Sequence, residues 1–202
     1  MHLIDITRDI TTAEVYPGDP ETKLISVRTI GEESDCNLSV LCTCNHTGTH
    51  VDAPLHFLEG GASVEQLSPQ VFIGPCVVLQ TQESVITGEF VNECFPHNAE
   101  RVLIKSNGAA NFMDAAAEEA AALPNLKLIG TDAVSVGVHG NQIRPHKAFL
   151  SKGIAILENL DLSEVEPGHY FLLALPMKIG GAEGAPVRAV LADDYIFWTQ
   201  KR

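Results

Sequence analysis

Short runs rich in β-branched, aliphatic and aromatic residues recur along the chain, most of them bounded by Gly, Pro or Asn. They fall at Leu3 to Thr7, Leu24 to Ile30, Asn37 to Cys44, Phe72 to Leu79, Arg101 to Lys105, Lys127 to Ile129, Ile154 to Leu157, Tyr170 to Leu175 and Val187 to Leu191. Each predicts a strand. Helical signals are fewer. Asn111 to Leu123 is rich in Ala and Glu and stops at Pro124, while Pro145 to Lys152 opens with a proline in the first turn and closes at Gly153. Ser63-Val64-Glu65-Gln66 has the spacing of a capping box for a short helix ahead of Pro69. Strands dominate the early chain, and strands alternate with helices in the middle. This order predicts an α/β fold with a mixed sheet rather than a regular doubly wound one. No linker-like stretch or long repeat divides the chain, so a single domain over residues 1–202 is expected.

Composition and charge narrow the classes. A chain of 202 residues, 45% hydrophobic and 19% charged, can bury a proper core, which excludes a disordered or low-complexity chain. Thirteen Lys and Arg against 26 Asp and Glu leave a net charge of −13, a field that repels phosphate backbones and anionic headgroups. Neither nucleic acid nor a membrane is therefore an expected partner. Met1-His2-Leu3-Ile4-Asp5 lacks a basic segment followed by an apolar one, and no run approaches the roughly 18 apolar residues of a span, so a cytoplasmic protein is expected. Cys36, Cys42, Cys44, Cys76 and Cys94 are odd in number and mostly far apart, which fits reduced thiols better than a disulfide framework.

The most informative segment is His46-Thr47-Gly48-Thr49-His50-Val51-Asp52-Ala53-Pro54-Leu55-His56, with three histidines and an aspartate in eleven residues. Imidazole nitrogen and carboxylate oxygen are the donors that Zn²⁺ and Mn²⁺ accept. Gly48 and Pro54 argue against a helix, and in an extended stretch His50 and Asp52 point to one face. A His-rich loop can also be merely solvated. Glu158 adds weight: it lies in the apolar run Gly153-Ile154-Ala155-Ile156-Leu157-Glu158-Asn159-Leu160, where an unpaired carboxylate would cost several kcal/mol or take up a proton. A cation should lie near it, either a salt-bridge partner or a metal shared with His146.

The segment from His46 to His56 resembles the H-x-G-T-H-x-D-x-P-x-H signature of the metal-dependent cyclase family, which includes the bacterial kynurenine formamidases and the isatin hydrolases. Three further stretches agree in order: Gly130 to Val136, His146 through Gly153 to Leu160, and Leu175-Pro176-Met177-Lys178-Ile179 through Gly184 to Ala189. The resemblance covers nearly the whole chain. It implies a swivelling β/β/α fold and two metals: one held by His46, His50 and Asp52, the second by Asp52 as a bridge with His146 and Glu158. Two cations roughly 3.5 to 4 Å apart lower the pKa of bound water and polarise a carbonyl. The resemblance further implies that His56 is the acid/base group, that Tyr16 lies against the substrate ring, and that the protein is a homo-oligomer, dimer or tetramer, with active sites near subunit contacts. A tyrosine beside Pro17-Gly18 could equally be a surface turn residue.

The chain departs from the family pattern after Ser135-Val136, where Gly137-Val138-His139-Gly140-Asn141 stands in place of the usual aspartate. That loop should border the pocket and bear on the substrate. His139 reads as an exposed loop histidine or a substrate contact. Cys42 and Cys44 share one face of a strand and read more simply as small buried hydrophobes than as zinc ligands. Gly180-Gly181-Ala182-Glu183-Gly184 lacks the lysine and context of a phosphate loop and reads as a flexible loop near the pocket. Ser135 lacks the elbow of a nucleophilic serine.

The expected function is a metal-dependent hydrolase of an amide, either an aryl formamide such as N-formylkynurenine, in tryptophan catabolism, or a ring amide such as isatin. Zn²⁺ is the expected metal, with two per chain, and Mn²⁺ is the alternative. A noncatalytic member that binds a metal or a small ring compound, and a lyase using the same metal pair, are the other readings.

Overall fold

The computed structural model describes residues 2–31 and 34–193. In chain order the strands are β1 (His2–Asp5), β2 (Lys23–Arg28), β3 (Leu38–Cys42), β4 (His50–Asp52), β5 (Ile73–Gln80), β6 (Val85–Ile86), β7 (Arg101–Lys105), β8 (Asn111–Phe112), β9 (Leu128–Thr131), β10 (Ala155–Glu158), β11 (Gly168–Leu173), β12 (Gly184–Pro186) and β13 (Val190–Asp193). The α-helices are α1 (Gly88–Cys94), α2 (Asp114–Ala121) and α3 (Ile143–Leu150).

Among the described residues, nine strands form one mixed sheet in the order β1-β13-β11-β5-β7-β9-β10-β4-β12. Its centre, β5-β7-β9-β10, is parallel, and the strands outside it pair antiparallel. The central strands are apolar on both faces, as strands covered on both sides must be. Val102, Ile104, Ile129 and Ile156 join a core with Val91, Ala116, Ala117, Ala120 and Phe149 of the three helices. On the opposite face Leu103, Leu128 and Leu157 pack with Val51, Val78, Leu172 and Leu191. Those residues come from strands that span most of the sheet, so the sheet must curl on this side to bring them together.

The outline of strands follows the sequence pattern, with several corrections. The Ala-rich helix starts later than expected, because Asn111–Phe112 pairs as a strand with Val85–Ile86 before the helix begins at Asp114. The run from Val187 is no continuous strand: Val187 makes an isolated bridge to Pro176, and β13 starts at Val190. Val64–Gln66 is a single 3-10 turn, with the Ser63 N–H donating to Gln66 Oε1 at 3.0 Å. β2 and β3 form a separate hairpin whose residues are all exposed. Cys42 is therefore exposed and Cys44 only half-buried, because the alternation that places them on one face meets no covering layer. All five cysteines are unpaired. No described helix is long and apolar enough to cross a membrane.

Candidate metal centre

The site is built on β4, a buried strand of three residues between β10 and β12. Gly48 makes the turn into it with φ of +66°, and a Cβ there would lie 3.2 Å from Ile10 Cα, so a side chain would be both strained and crowded. His50 and Asp52 project from one face of β4, and the register sets Glu158 of β10 directly opposite His50. Val136 N–H donates to Glu158 Oε1 at 2.6 Å, which gives the Ser135-Val136 stretch a role in aiming the carboxylate. α3 delivers buried His146, its Pro145 tolerated in the first turn where no helical acceptor is needed. The 3-10 turn Pro54–His56 delivers His56.

Asp52 is the centre of the arrangement. Its Oδ1 lies 2.9 Å from His46 Nδ1 and 3.5 Å from His50 Nε2, whereas Oδ2 lies 3.4 Å from His146 Nε2. Glu158 closes the second side, 3.2 Å from His146 Nε2 and 3.5 Å from His50 Nε2. Asp52 is fully buried, and among the described residues its Oδ2 has no hydrogen-bond partner of good geometry, only the His146 ring 3.4 Å away, so a positive charge, imidazolium or metal, must offset its burial. His50, Asp52 and Glu158 bring donor atoms within 4.8 Å of one another, as do His46, Asp52 and His56. The nitrogen and oxygen donors thus suit a divalent cation. His50 Nδ1 is 2.8 Å from Gly48 O and His146 Nδ1 is 2.6 Å from Gln142 O, which leaves Nε2 of each free to point inward.

The protonation pattern without metal follows from this crowding. Burial pulls His46 down, but the hydrogen bond to Asp52 and the surrounding carboxylates outweigh it and raise it to about 9. Burial likewise opposes His146, which Glu158 and Asp52 raise to about 10. Burial pushes Asp52 up, and the neighbouring imidazoles more than reverse that, holding it well below its ordinary value. Glu158 is also lowered, against burial and the charge of Asp52, by His146 and His50. His56 is different: burial dominates and lowers it, so its imidazole is neutral at pH 7.

A cleft of about 390 Å³ opens onto these side chains, and Tyr16, Phe57, Ser135 and Gln142 line it. All six candidates His46, His50, Asp52, His56, His146 and Glu158 therefore meet in one place, and Tyr16 borders the same space. The His56 ring stacks on His46, centroids 4.1 Å apart. Tyr16 Oη is 2.7 Å from Nδ1 of His139, so that loop histidine touches the tyrosine at the cleft and is not simply solvated. The sequence reading missed Glu183, whose Oε1 lies 3.2 Å from His46 Nε2. Its segment was expected to be a flexible loop, but Gly184 begins β12 and pairs with Asp52. An acidic residue in a glycine-rich segment was the available signal.

The "Cyclase" family model matches residues 4–138. The chain belongs to the cyclase family. Among cyclase-family relatives it is 39% identical to the kynurenine formamidase of Salinibacter ruber, over 96% of this chain and 98% of that protein. It is 34% identical to the kynurenine formamidase of Delftia acidovorans, over 94% and 96% of the two chains. Its fold superposes on a "predicted metal-dependent hydrolase" from Bacillus stearothermophilus with a TM-score of 0.82 at 28% identity, covering 94% and 97% of the chains. Isatin hydrolase A from Labrenzia aggregata matches with a TM-score of 0.80 over 94% and 93% of the chains, at 19% identity a likeness of fold alone.

Proposed function

We propose that the chain is a metal-dependent amidohydrolase that cleaves an aryl formamide to formate and the arylamine, with N-formylkynurenine as its substrate and tryptophan catabolism in the cytoplasm as its setting. The observation that carries the reading is Asp52, whose two oxygens face different imidazoles within a donor set shared with Glu158. The kynurenine formamidases that align over nearly their whole length support the choice of substrate. His46, His50 and Asp52 would hold one cation, and Asp52, His146 and Glu158 the other. Zn²⁺ suits these donors, and Mn²⁺ is accepted by the same set. When bound, such a pair polarises the carbonyl and makes water a nucleophile near neutral pH.

The chain's own residues supply the rest. His56, neutral and stacked on His46, takes the proton of the attacking water and returns it to the departing nitrogen as the C–N bond breaks. Tyr16 and Phe57 offer aromatic faces to the substrate ring. Apolar Leu24, Ile25, Val40 and Leu41 stand exposed on the β2–β3 hairpin, and they support a homo-oligomer, a dimer or tetramer, in which the hairpin is covered by a second copy.

The test is the metal content of the purified protein by elemental analysis, together with hydrolysis of N-formylkynurenine with and without a chelator. Two metals per chain and chelator-sensitive release of formate are expected. Metal without formamide cleavage would move the substrate to a ring amide such as isatin, and a protein that takes up no divalent metal would overturn the reading.

A further inference from the structure

The three imidazoles around Asp52 differ in what grips the nitrogen that faces away from it. For His50 and His146 the acceptor is a neutral backbone carbonyl, Gly48 O and Gln142 O. For His46 the inward nitrogen is Nδ1, beside Asp52 Oδ1, and the outward Nε2 meets the carboxylate of Glu183 at 3.2 Å. Glu183 is itself anchored. Asn45 Nδ2 donates to the same Oε1 at 3.3 Å, and Ala53 N–H donates to the Glu183 backbone carbonyl at 2.8 Å. The residue is thus tied to the chain on both sides of the β4 signature. The next residue makes the room: a Cβ on Gly184 would fall 2.7 Å from His46 Cε1 and 2.8 Å from the Val51 carbonyl. Any larger residue there would push the imidazole away from Asp52.

We propose that Glu183 and Gly184 together form a positioning cradle for His46, in which Gly184 admits the ring and the Glu183 carboxylate fixes its orientation and strengthens Nδ1 as a donor. This rests on the metal-centre reading of the proposed function. The device has a direction. On the far side of Asp52, Glu158 already lies beside His146, and the negative charge comes from a direct donor. On the His46 side the only carboxylate facing the outer nitrogen is that of Glu183 among the described residues. Loss of Glu183 therefore weakens the cation on the His46 side and spares the one between His146 and Glu158.

The experiment titrates metal-free protein with Zn²⁺ against a chromophoric chelator, without substrate, for wild type, Glu183→Gln, Glu183→Ala, His46→Ala and the double variant His46→Ala/Glu183→Ala. Outer carboxylates of this kind are worth roughly 10- to 100-fold in metal affinity. Glu183→Ala should weaken one of the two binding steps by about that factor. Glu183→Gln, which keeps an acceptor oxygen but loses the charge, should fall between Ala and wild type. Removing Glu183 from the His46→Ala protein should cost nothing further, because the carboxylate acts through that ring. Equal affinities in wild type and Glu183→Ala would overturn the cradle while leaving the metal-centre reading intact. A parallel measurement of formamide hydrolysis by the zinc-loaded proteins reads KM, and a rise in KM with unchanged metal affinity would likewise overturn the cradle and make Glu183 a substrate contact. A wild-type protein that binds no Zn²⁺ would remove both readings at once. Isosteric Glu183→Gln and thermal unfolding of each metal-free variant separate a lost donor from a lost fold.

Discussion

Glu158 stands directly opposite His50 in the antiparallel register of β10 and β4, its Oε2 3.5 Å from His50 Nε2. The pairing makes two distant pieces of chain share one face, and its carboxylate reaches His146 at 3.2 Å on the other side. In the proposed centre Glu158 is a direct donor. Glu158→Gln keeps the shape and removes the charge, so metal content should fall from two per chain toward one. Turnover should drop by more than the roughly 10- to 100-fold typical of an outer-sphere residue. Elemental analysis paired with formamide hydrolysis checks both, and full activity with two metals would count against the assignment.

A half-buried, neutral His56 makes a different prediction. Burial lowers its pKa, so the base form persists below the pH at which free imidazole would protonate. The acid limb of kcat/KM should accordingly fall below pH 6.5. His56→Ala should lose about 10²- to 10⁴-fold in kcat with metal content unchanged, the usual worth of a positioned acid/base group. Near wild-type turnover of every amide the enzyme hydrolyses would remove the proton-transfer role.

Metal loading and pH are linked through His46 and His146. In the metal-free protein they stand at about 9 and about 10, above the ordinary value of 6.5. A raised folded pKa stabilises below the unfolded value and loses that contribution as pH climbs through the folded one. The melting temperature of metal-free protein should therefore decline as pH rises from about 6.5 toward 10. At pH 7 the two rings must shed their protons to bind metal, so Zn²⁺ uptake should release about two protons per chain. Calorimetry in buffers of different ionisation enthalpy reads that number, and no release would show that the rings are already neutral.

The legible parts of the site were those in which chemistry is crowded into few residues. His46 to His56 declares its donors by composition, and Glu158 stands out as a carboxylate in an apolar strand. The three-residue β4 is too short for periodicity to reveal, and its pairing with both β10 and β12 is a long-range fact. Glu183 was hidden for the same reason: in the glycine-rich run Gly180 to Gly184 it reads as loop until Gly184 is seen to pair with Asp52. The contact of Tyr16 with His139 joins two loops far apart in sequence, and neither loop alone names its partner. Helix α1 escaped because it opens on Gly88, and its start is marked only by Thr87, whose side chain accepts from Phe90 N–H. For Cys42 and Cys44, alternation shows which residues share a face but not whether anything covers it.

That uncovered face leads to the last prediction. Leu24 pairs with Leu41 and Ile25 with Val40 across the β2–β3 hairpin, and adjacent pairs on a pleated ribbon face opposite ways. Both faces are therefore apolar, with these four residues 47 to 62% exposed. A two-stranded ribbon is marginal by itself in water, and contiguous exposed apolar area marks an interaction surface. The hairpin also runs directly into Cys44 and His46 at the cleft, so whatever covers it lies close to the active centre. Sedimentation of wild type should give a dimer or larger assembly. Ile25→Glu combined with Val40→Glu, like charges set directly opposite each other, should shift it toward monomer and lower formamide turnover together with assembly. A monomeric wild-type protein, or a charged variant that assembles unchanged, would show that the hairpin is not the contact.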